Sequence, residues 1–104
     1  MNRAITKVLF LIGIIVLPQA AAAADAAQGQ TLAKRWCAAC HVVASDQQGR
    51  SGEAAPFSAI GKTPDLDASR LALFLLLPHP KMPDMHLSRS EAADLAAYIV
   101  TQGK

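Results

Sequence analysis

The segment Cys37-Ala38-Ala39-Cys40-His41, C-A-A-C-H, holds both cysteines of the 104-residue chain and is its strongest chemical signal. Two thiols three residues apart lie on one side of a helical turn, where they can add to the two vinyl groups of one porphyrin. A histidine directly after the second cysteine then projects beneath the ring and can bind the iron. This spacing is the attachment signature of c-type haem. It predicts one covalent haem c on Cys37 and Cys40, with His41 as an axial iron ligand.

Three other uses of the cysteines compete with haem attachment. In an oxidising compartment the two thiols can form a disulfide. A thioredoxin-like redox pair has the same spacing, but it belongs with a βαβ pattern that this sequence lacks. A zinc site needs four ligands, and His79 and His86 could complete one with the cysteines. The first two uses leave His41 without a role, and zinc does not explain the long loop after the motif, so haem attachment is favoured.

The N-terminal segment has the three parts of a secretory signal. Two basic residues precede a ten-residue apolar run, Val8–Leu17, and a series of alanines leads to Asp25. The run is too short to cross a bilayer, which takes about 20 residues. We expect residues 1–24 to be a cleaved signal peptide, residues 25–104 to form the domain, and the protein to be periplasmic or otherwise exported. Retention of the segment as a membrane anchor is the alternative.

The charge of the predicted domain argues against a nucleic-acid partner. The chain has 10 Lys and Arg against 8 Asp and Glu, and two of the basic residues, Arg3 and Lys7, lie in the signal segment. A domain with equal numbers of both charges lacks the clustered positive charge that binds phosphates. A domain of this size also buries little apolar surface alone and commonly needs a disulfide, a metal or a cofactor.

Three helices are predicted in the domain, and no segment alternates as a strand would. They cover about 26–38, 68–76 and 88–102, and each begins at a capping residue: Asp25, Asp67 or Ser88. Gly103 can end the last helix. Leu71, Phe74 and Leu75 form an apolar stripe on the second helix, which we expect to be buried and, together with Trp36, to keep water off the haem ring.

Long loops connect these helices. Residues 44–64 are rich in Gly, Pro, Ser and Asp, which favour turns and loops. Three prolines exclude a helix from the segment after Leu77. Loops of this length are uncommon in a small domain unless they wrap a ligand. The second loop contains four side chains that can bind iron: His79, Met82, Met85 and His86.

With these features, residues 25–104 resemble the class I c-type cytochromes. Besides C-A-A-C-H, the features shared with that family are Gly29, Ala55-Pro56, Leu71 with Phe74, Met82-Pro83, and the closing segment Leu87–Ile99. The resemblance implies an all-α cytochrome c fold, in which three or so helices and long loops wrap around one covalent haem.

The resemblance also implies the second iron ligand. Met82 ranks first because Pro83 follows it, as a proline often follows the ligand methionine of the family, and because Pro80 and Pro83 stiffen the chain around it. Met85 ranks second, and His79 and His86 rank behind both.

Two packing details follow from the same resemblance. Gly29 would let the first helix cross the last one closely, against Leu95 and Tyr98. The family commonly has an aromatic residue one turn after that glycine, where this chain has Ala33, and Trp36 is expected to fill the gap. Pro56 would offer its carbonyl to the second ring nitrogen of His41, which fixes the tautomer of a ligating histidine.

The function implied is one-electron transfer between redox protein partners, without enzymatic turnover. The chain would act alone or as the cytochrome subunit of a dehydrogenase or oxidase system, and it would contact a membrane only if the signal segment is kept. Ligation by His41 and Met82 in both oxidation states would limit reorganisation of the iron. The alternative is a haem-based sensor or small-ligand binder with an open sixth iron site.

Overall fold

The computed structural model describes residues 13–18, 23–49, 53–77 and 79–104, and within these ranges it contains helices and no strand. The helices are α1 (Ala26–Trp36), α2 (Phe57–Gly61), α3 (Ala68–Leu76) and α4 (Arg89–Thr101). The all-α prediction is confirmed. Most of the predicted signal segment lies outside the described residues. Among the helices in these ranges, none has the length and apolar character that crossing a bilayer requires.

The three predicted capping residues begin three of the helices. The carboxylate of Asp25 accepts from the first backbone N–H groups of α1, and that of Asp67 does the same for α3. At α4, Ser88 and Glu91 form a complete capping box, in which each side chain accepts from the other residue's backbone N–H. These bonds satisfy N–H groups that have no partner inside the helix.

Helix α4 is the centre of the fold, because α1, α2 and α3 all pack against it. The side chains buried around it come mainly from α1, α4 and the chain after the C-A-A-C-H motif: Leu32, Ala33, Val43, Phe57, Leu95, Tyr98 and Ile99. Helix α3 contributes no buried residue. Helix α3 packs against the edge of this core through the half-buried Leu71 and Leu75.

The short helix α2 was not predicted, since residues 44–64 were expected to be loop throughout. It begins after Pro56 without a side-chain cap and has only five residues, too few for a helical pattern to be visible in the sequence. Its last residue, Gly61, meets the backbone of Gly103. Gly103 therefore serves a close backbone contact, while Gln102 is the C-cap of α4.

Gly29 lies where α1 crosses α4, as predicted. A Cβ at this position would overlap the backbone carbonyl of Asp94 and lie 2.9 Å from the Cβ of Tyr98. The contact with Tyr98 is confirmed, but the backbone of Asp94, not Leu95, closes the crossing. Trp36 does not fill the gap next to Ala33, since Ala33 is completely buried and Trp36 remains 46% exposed.

Replacing Gly29 with alanine should destabilise the protein. Inside a helix, alanine is about 1 kcal/mol more favourable than glycine. At this position, however, the added methyl group would overlap the backbone of Asp94 in α4. Overpacking of this kind costs about 1–3 kcal/mol or more. We expect a net loss in the free energy of unfolding, measured by denaturant titration. Thr31→Ala, at an exposed position of the same helix, is the control and should change little. Equal or greater stability of Gly29→Ala would contradict the close crossing.

Candidate haem-attachment site

The C-A-A-C-H motif forms a turn at the end of α1. Cys37 is the C-cap of the helix, and its N–H donates to the carbonyl of Ala33. The carbonyl of Cys37 then accepts from the N–H groups of Cys40, at 3.2 Å, and of His41, at 2.9 Å. These bonds hold the two cysteines and the histidine in one compact turn.

One cleft of about 560 Å³ brings most of the predicted site residues together. The motif supplies Cys37, Cys40 and His41, and the loop before α4 supplies Met82 and Met85. The remaining walls include three larger side chains: Trp36, Phe74 and His79. His86 is the exception among the candidates, because its side chain is 88% exposed and lies 3.6 Å from the carboxylate of Asp84.

The ring of His41 is held from two sides. Its Nδ1 lies 2.6 Å from the carbonyl oxygen of Ala55, and its ring contacts that of Phe57 at 5.3 Å between centroids. Because a carbonyl only accepts, Nδ1 is the nitrogen that donates here, which leaves Nε2 as the ring nitrogen that can bind a metal. A ligating histidine with its other N–H on a carbonyl is the arrangement that orients the ring and raises its basicity.

The prediction that Pro56 supplies this carbonyl was wrong by one residue. The carbonyl of Pro56 accepts from the N–H groups of Ala59 and Ile60, at 3.0 and 3.1 Å. It is therefore used to begin α2, and the preceding carbonyl of Ala55 is the one directed at His41.

The environment of Cys37 does not suit redox exchange. Burial raises the pKa of its thiol to about 11, whereas reactive redox cysteines have lowered pKa values that favour the thiolate. Within the described ranges, no three His, Cys, Asp or Glu side chains converge as a zinc site would need. Neither the thioredoxin-like nor the zinc interpretation gains support from this geometry.

The side chain of Gln47 is hydrogen-bonded to the backbone of the motif, a role that was not predicted from the sequence. Its Oε1 accepts from the N–H of Val43 at 2.7 Å, and its Nε2 donates to the carbonyls of Ala38 and His41 at 3.3 and 3.1 Å. The hydroxyl of Tyr98 donates to the carbonyl of Val43 at 2.6 Å. The amide of Gln47 thus joins three backbone groups in and directly after the motif. Tyr98 of α4 holds a fourth, the carbonyl of Val43.

Replacing Gln47 with glutamate should destabilise this turn. A carboxylate can still accept from Val43, but it cannot donate, and it would face two carbonyl oxygens. Leaving such groups unpaired costs about 1–3 kcal/mol, and we expect a loss of that size in thermal or denaturant unfolding. Gln48→Glu makes the same chemical change at the next, exposed position and should have little effect. Equal stabilities of the two variants would contradict the role of Gln47.

The loop that contains Met82 turns sharply just before it. Lys81 has a φ of 70°, in the left-handed region that non-glycine residues adopt at a cost. The sulfur of Met82 lies 2.8 Å from Nε2 of His79. His79 in turn stacks on Phe74, with 4.3 Å between ring centroids and 26° between the ring planes.

The apolar stripe of α3, predicted to be buried and to shield the haem ring, is only partly covered by protein side chains. Leu71 and Leu75 are half-buried, and Phe74 is 52% exposed. Phe74 of α3 and the half-exposed Trp36 of α1 both line the cleft. Exposed aromatic side chains that border one cleft are typical of a ligand site rather than of a solvated surface.

The residues around the cleft fit a c-type haem. The two cysteines can form the thioethers, His41 offers an imidazole lone pair, and the aromatic side chains offer apolar walls to a flat macrocycle. The haem would also cover the exposed side chain of Phe74 on α3.

Comparisons with known proteins agree with this chemistry. Residues 24–99 match the family model described as "Cytochrome C oxidase, cbb3-type, subunit III". The chain is 46% identical over 99 residues, which are 95% of each chain, to a protein named Cytochrome c-552 from Bradyrhizobium diazoefficiens. No solved structure matches the chain. The chain therefore belongs to the family of cbb3-type cytochrome c oxidase subunit III, and it is a class I c-type cytochrome that carries electrons on one covalent haem c.

Proposed function

We propose that this cytochrome is an exported one-electron carrier, in which His41 and Met82 hold the iron of a haem attached to Cys37 and Cys40. The observation that carries the proposal is the common cleft of these four residues. The haem supplies the redox chemistry. The protein's part is to offer one imidazole and one thioether in both oxidation states, which limits reorganisation and favours the ferrous form.

The choice of Met82 rests on the loop that presents it. Pro80 and Pro83 restrict the chain on both sides, and Lys81 adds a fixed turn directly before the methionine. A chain that is already restricted loses little entropy when its sulfur binds. Met85 lines the same cleft and is the second candidate.

Carbon monoxide binding tests the electron-carrier proposal against the alternative of a sensor with an open sixth iron site. The reduced protein is exposed to carbon monoxide at neutral pH, and the visible spectrum is recorded. A site closed by His41 and Met82 should keep its low-spin spectrum and bind the gas poorly. Rapid, stoichiometric binding would favour the sensor.

The partners we propose are an electron donor and an electron acceptor, both redox proteins, with no turnover by this chain itself. The family description directs attention to a cbb3-type oxidase as the acceptor or as the complex in which the chain is a subunit. Copurification of the tagged cytochrome from its own host, followed by oxidation of the reduced protein by the purified oxidase, distinguishes a subunit from a mobile carrier.

Export and cleavage before Asp25 are supported by two observations. The family match begins at residue 24. In addition, the backbone nitrogen of Asp25 lies 2.8 Å from the carboxylate of Asp94 in α4. Cleavage of the peptide bond before Asp25 would turn that nitrogen into an ammonium group facing the Asp94 carboxylate. Charge-assisted hydrogen bonds of this kind are stronger than neutral ones.

N-terminal sequencing of the purified protein tests the processing. We expect a mature N-terminus at or within a few residues of Asp25, in protein recovered from the soluble exported fraction. Recovery only from membranes, with residues 1–24 still attached, would instead favour the anchor.

A further inference from the structure

We propose that His79 is a second ligand for the haem iron, which takes the coordination position of Met82 through Nε2 when the thioether leaves it. The inference rests on the proposed function, since it assumes that Met82 is the ligand of the resting protein. It adds that the loop before α4 carries two alternative donors for one position.

The two donor atoms, the Met82 sulfur and Nε2 of His79, are neighbours in the cleft. Nε2 of His79 is 2.8 Å from the sulfur of Met82, and Nδ1 of the same ring is 2.9 Å from the carbonyl oxygen of Leu77. The carbonyl accepts only, so the hydrogen of the neutral ring is on Nδ1. Nε2 then faces the sulfur with a lone pair, and a thioether has no hydrogen to donate. In the neutral ring Nε2 is therefore a donor atom available to iron, and it lies beside the thioether sulfur in the wall of the cleft.

The ring of His79 is fixed in an orientation suited to binding. It stacks on Phe74 and is half-buried in the wall of the same cleft that contains His41. His86 provides the contrast, because its side chain is 88% exposed and lies beside Asp84. Of the two histidines in this loop, only His79 is directed at the cleft.

The exchange is balanced without any other reactant. The bond between the iron and the Met82 sulfur breaks, and a bond between the iron and Nε2 forms. The proton on Nδ1 stays where it is, and no electron is transferred. The iron would remain six-coordinate and closed to small ligands, with a lower reduction potential, because an imidazole favours the ferric state more than a thioether does.

The test uses the haem-loaded protein and its Met82→Ala variant. Oxidised wild-type protein should have the weak sulfur-to-iron charge-transfer band near the red edge of the visible. The variant should lack this band yet remain low-spin and bind carbon monoxide poorly when reduced. Adding His79→Phe, which keeps an aromatic ring against Phe74, should convert the variant to a high-spin form that binds carbon monoxide stoichiometrically. Adding His86→Phe instead is the matched control and should leave the variant low-spin.

The outcomes separate the inference from the function on which it rests. Absence of the band in the wild-type protein would remove Met82 and Met85 as ligands, and the proposed ligation with them. A band in the wild-type protein, together with a high-spin Met82→Ala variant, would overturn the role of His79 alone. A band that persists in Met82→Ala would assign the position to Met85 and overturn both. If Met82→Ala does not fold, Met82→Leu keeps the side-chain volume and gives the same comparison.

Discussion

His41→Ala is expected to abolish the low-spin haem spectrum and to unfold most of the protein at room temperature. The substitution removes an iron ligand, the hydrogen bond to the Ala55 carbonyl and the contact with Phe57. In a domain this small, a bound cofactor stabilises the folded state directly. We expect a loss above about 4 kcal/mol, the range in which single substitutions remove a core element.

Visible absorption and far-ultraviolet circular dichroism, followed through a thermal melt, measure this effect. His86→Ala is the control, since that side chain is 88% exposed and lies off the cleft, and it should retain both spectra. A His41→Ala protein with a wild-type melt and low-spin iron would show that another residue is the ligand on this side of the haem.

Met82→Ala is expected to produce the largest change in reduction potential. Loss of the thioether removes the ligand that favours the ferrous state, so the potential should fall by a substantial part of the roughly 0.8 V range that axial ligands span. The sulfur-to-iron band of the oxidised protein should disappear with it. The measurement is a spectroelectrochemical titration with near-infrared detection.

Met85→Ala is the matched control for this prediction, because Met85 lines the same cleft three residues away. It should keep the band and shift the potential little. Loss of the band in Met85→Ala and its retention in Met82→Ala would reverse the assignment. Retention in both variants would mean that either methionine can bind the iron when the other is absent.

Features set by local chemistry could be predicted from the sequence. The capping residues Asp25, Asp67 and Ser88 accept from N–H groups within three positions of themselves. A short stretch of sequence is therefore enough to predict them. The thioether chemistry of C-A-A-C-H is equally local. The role of Gly29 was implied by the resemblance to class I c-type cytochromes, and the cost of a glycine inside a helix agrees with a close crossing there.

Features that depend on chain segments meeting in space could not be predicted. The role of Gln47 requires a loop to fold back over the motif, and a glutamine among polar residues gives no sign of this. The choice between the carbonyls of Ala55 and Pro56 depends on where α2 begins. How far protein side chains cover the apolar stripe of α3 also depends on such contacts, and periodicity alone does not give it.

The intact mass of the mature protein tests the central claim most directly. The cytochrome is produced with its N-terminal segment in a host that can attach c-type haem, purified from the exported fraction and extracted with denaturing acid before mass spectrometry. The mass should equal that of residues 25–104 plus one haem, within a few residues at the N-terminus, and the colour should stay with the protein. A colourless protein with a disulfide between Cys37 and Cys40, or a haem that the acid removes, would contradict covalent attachment at this motif.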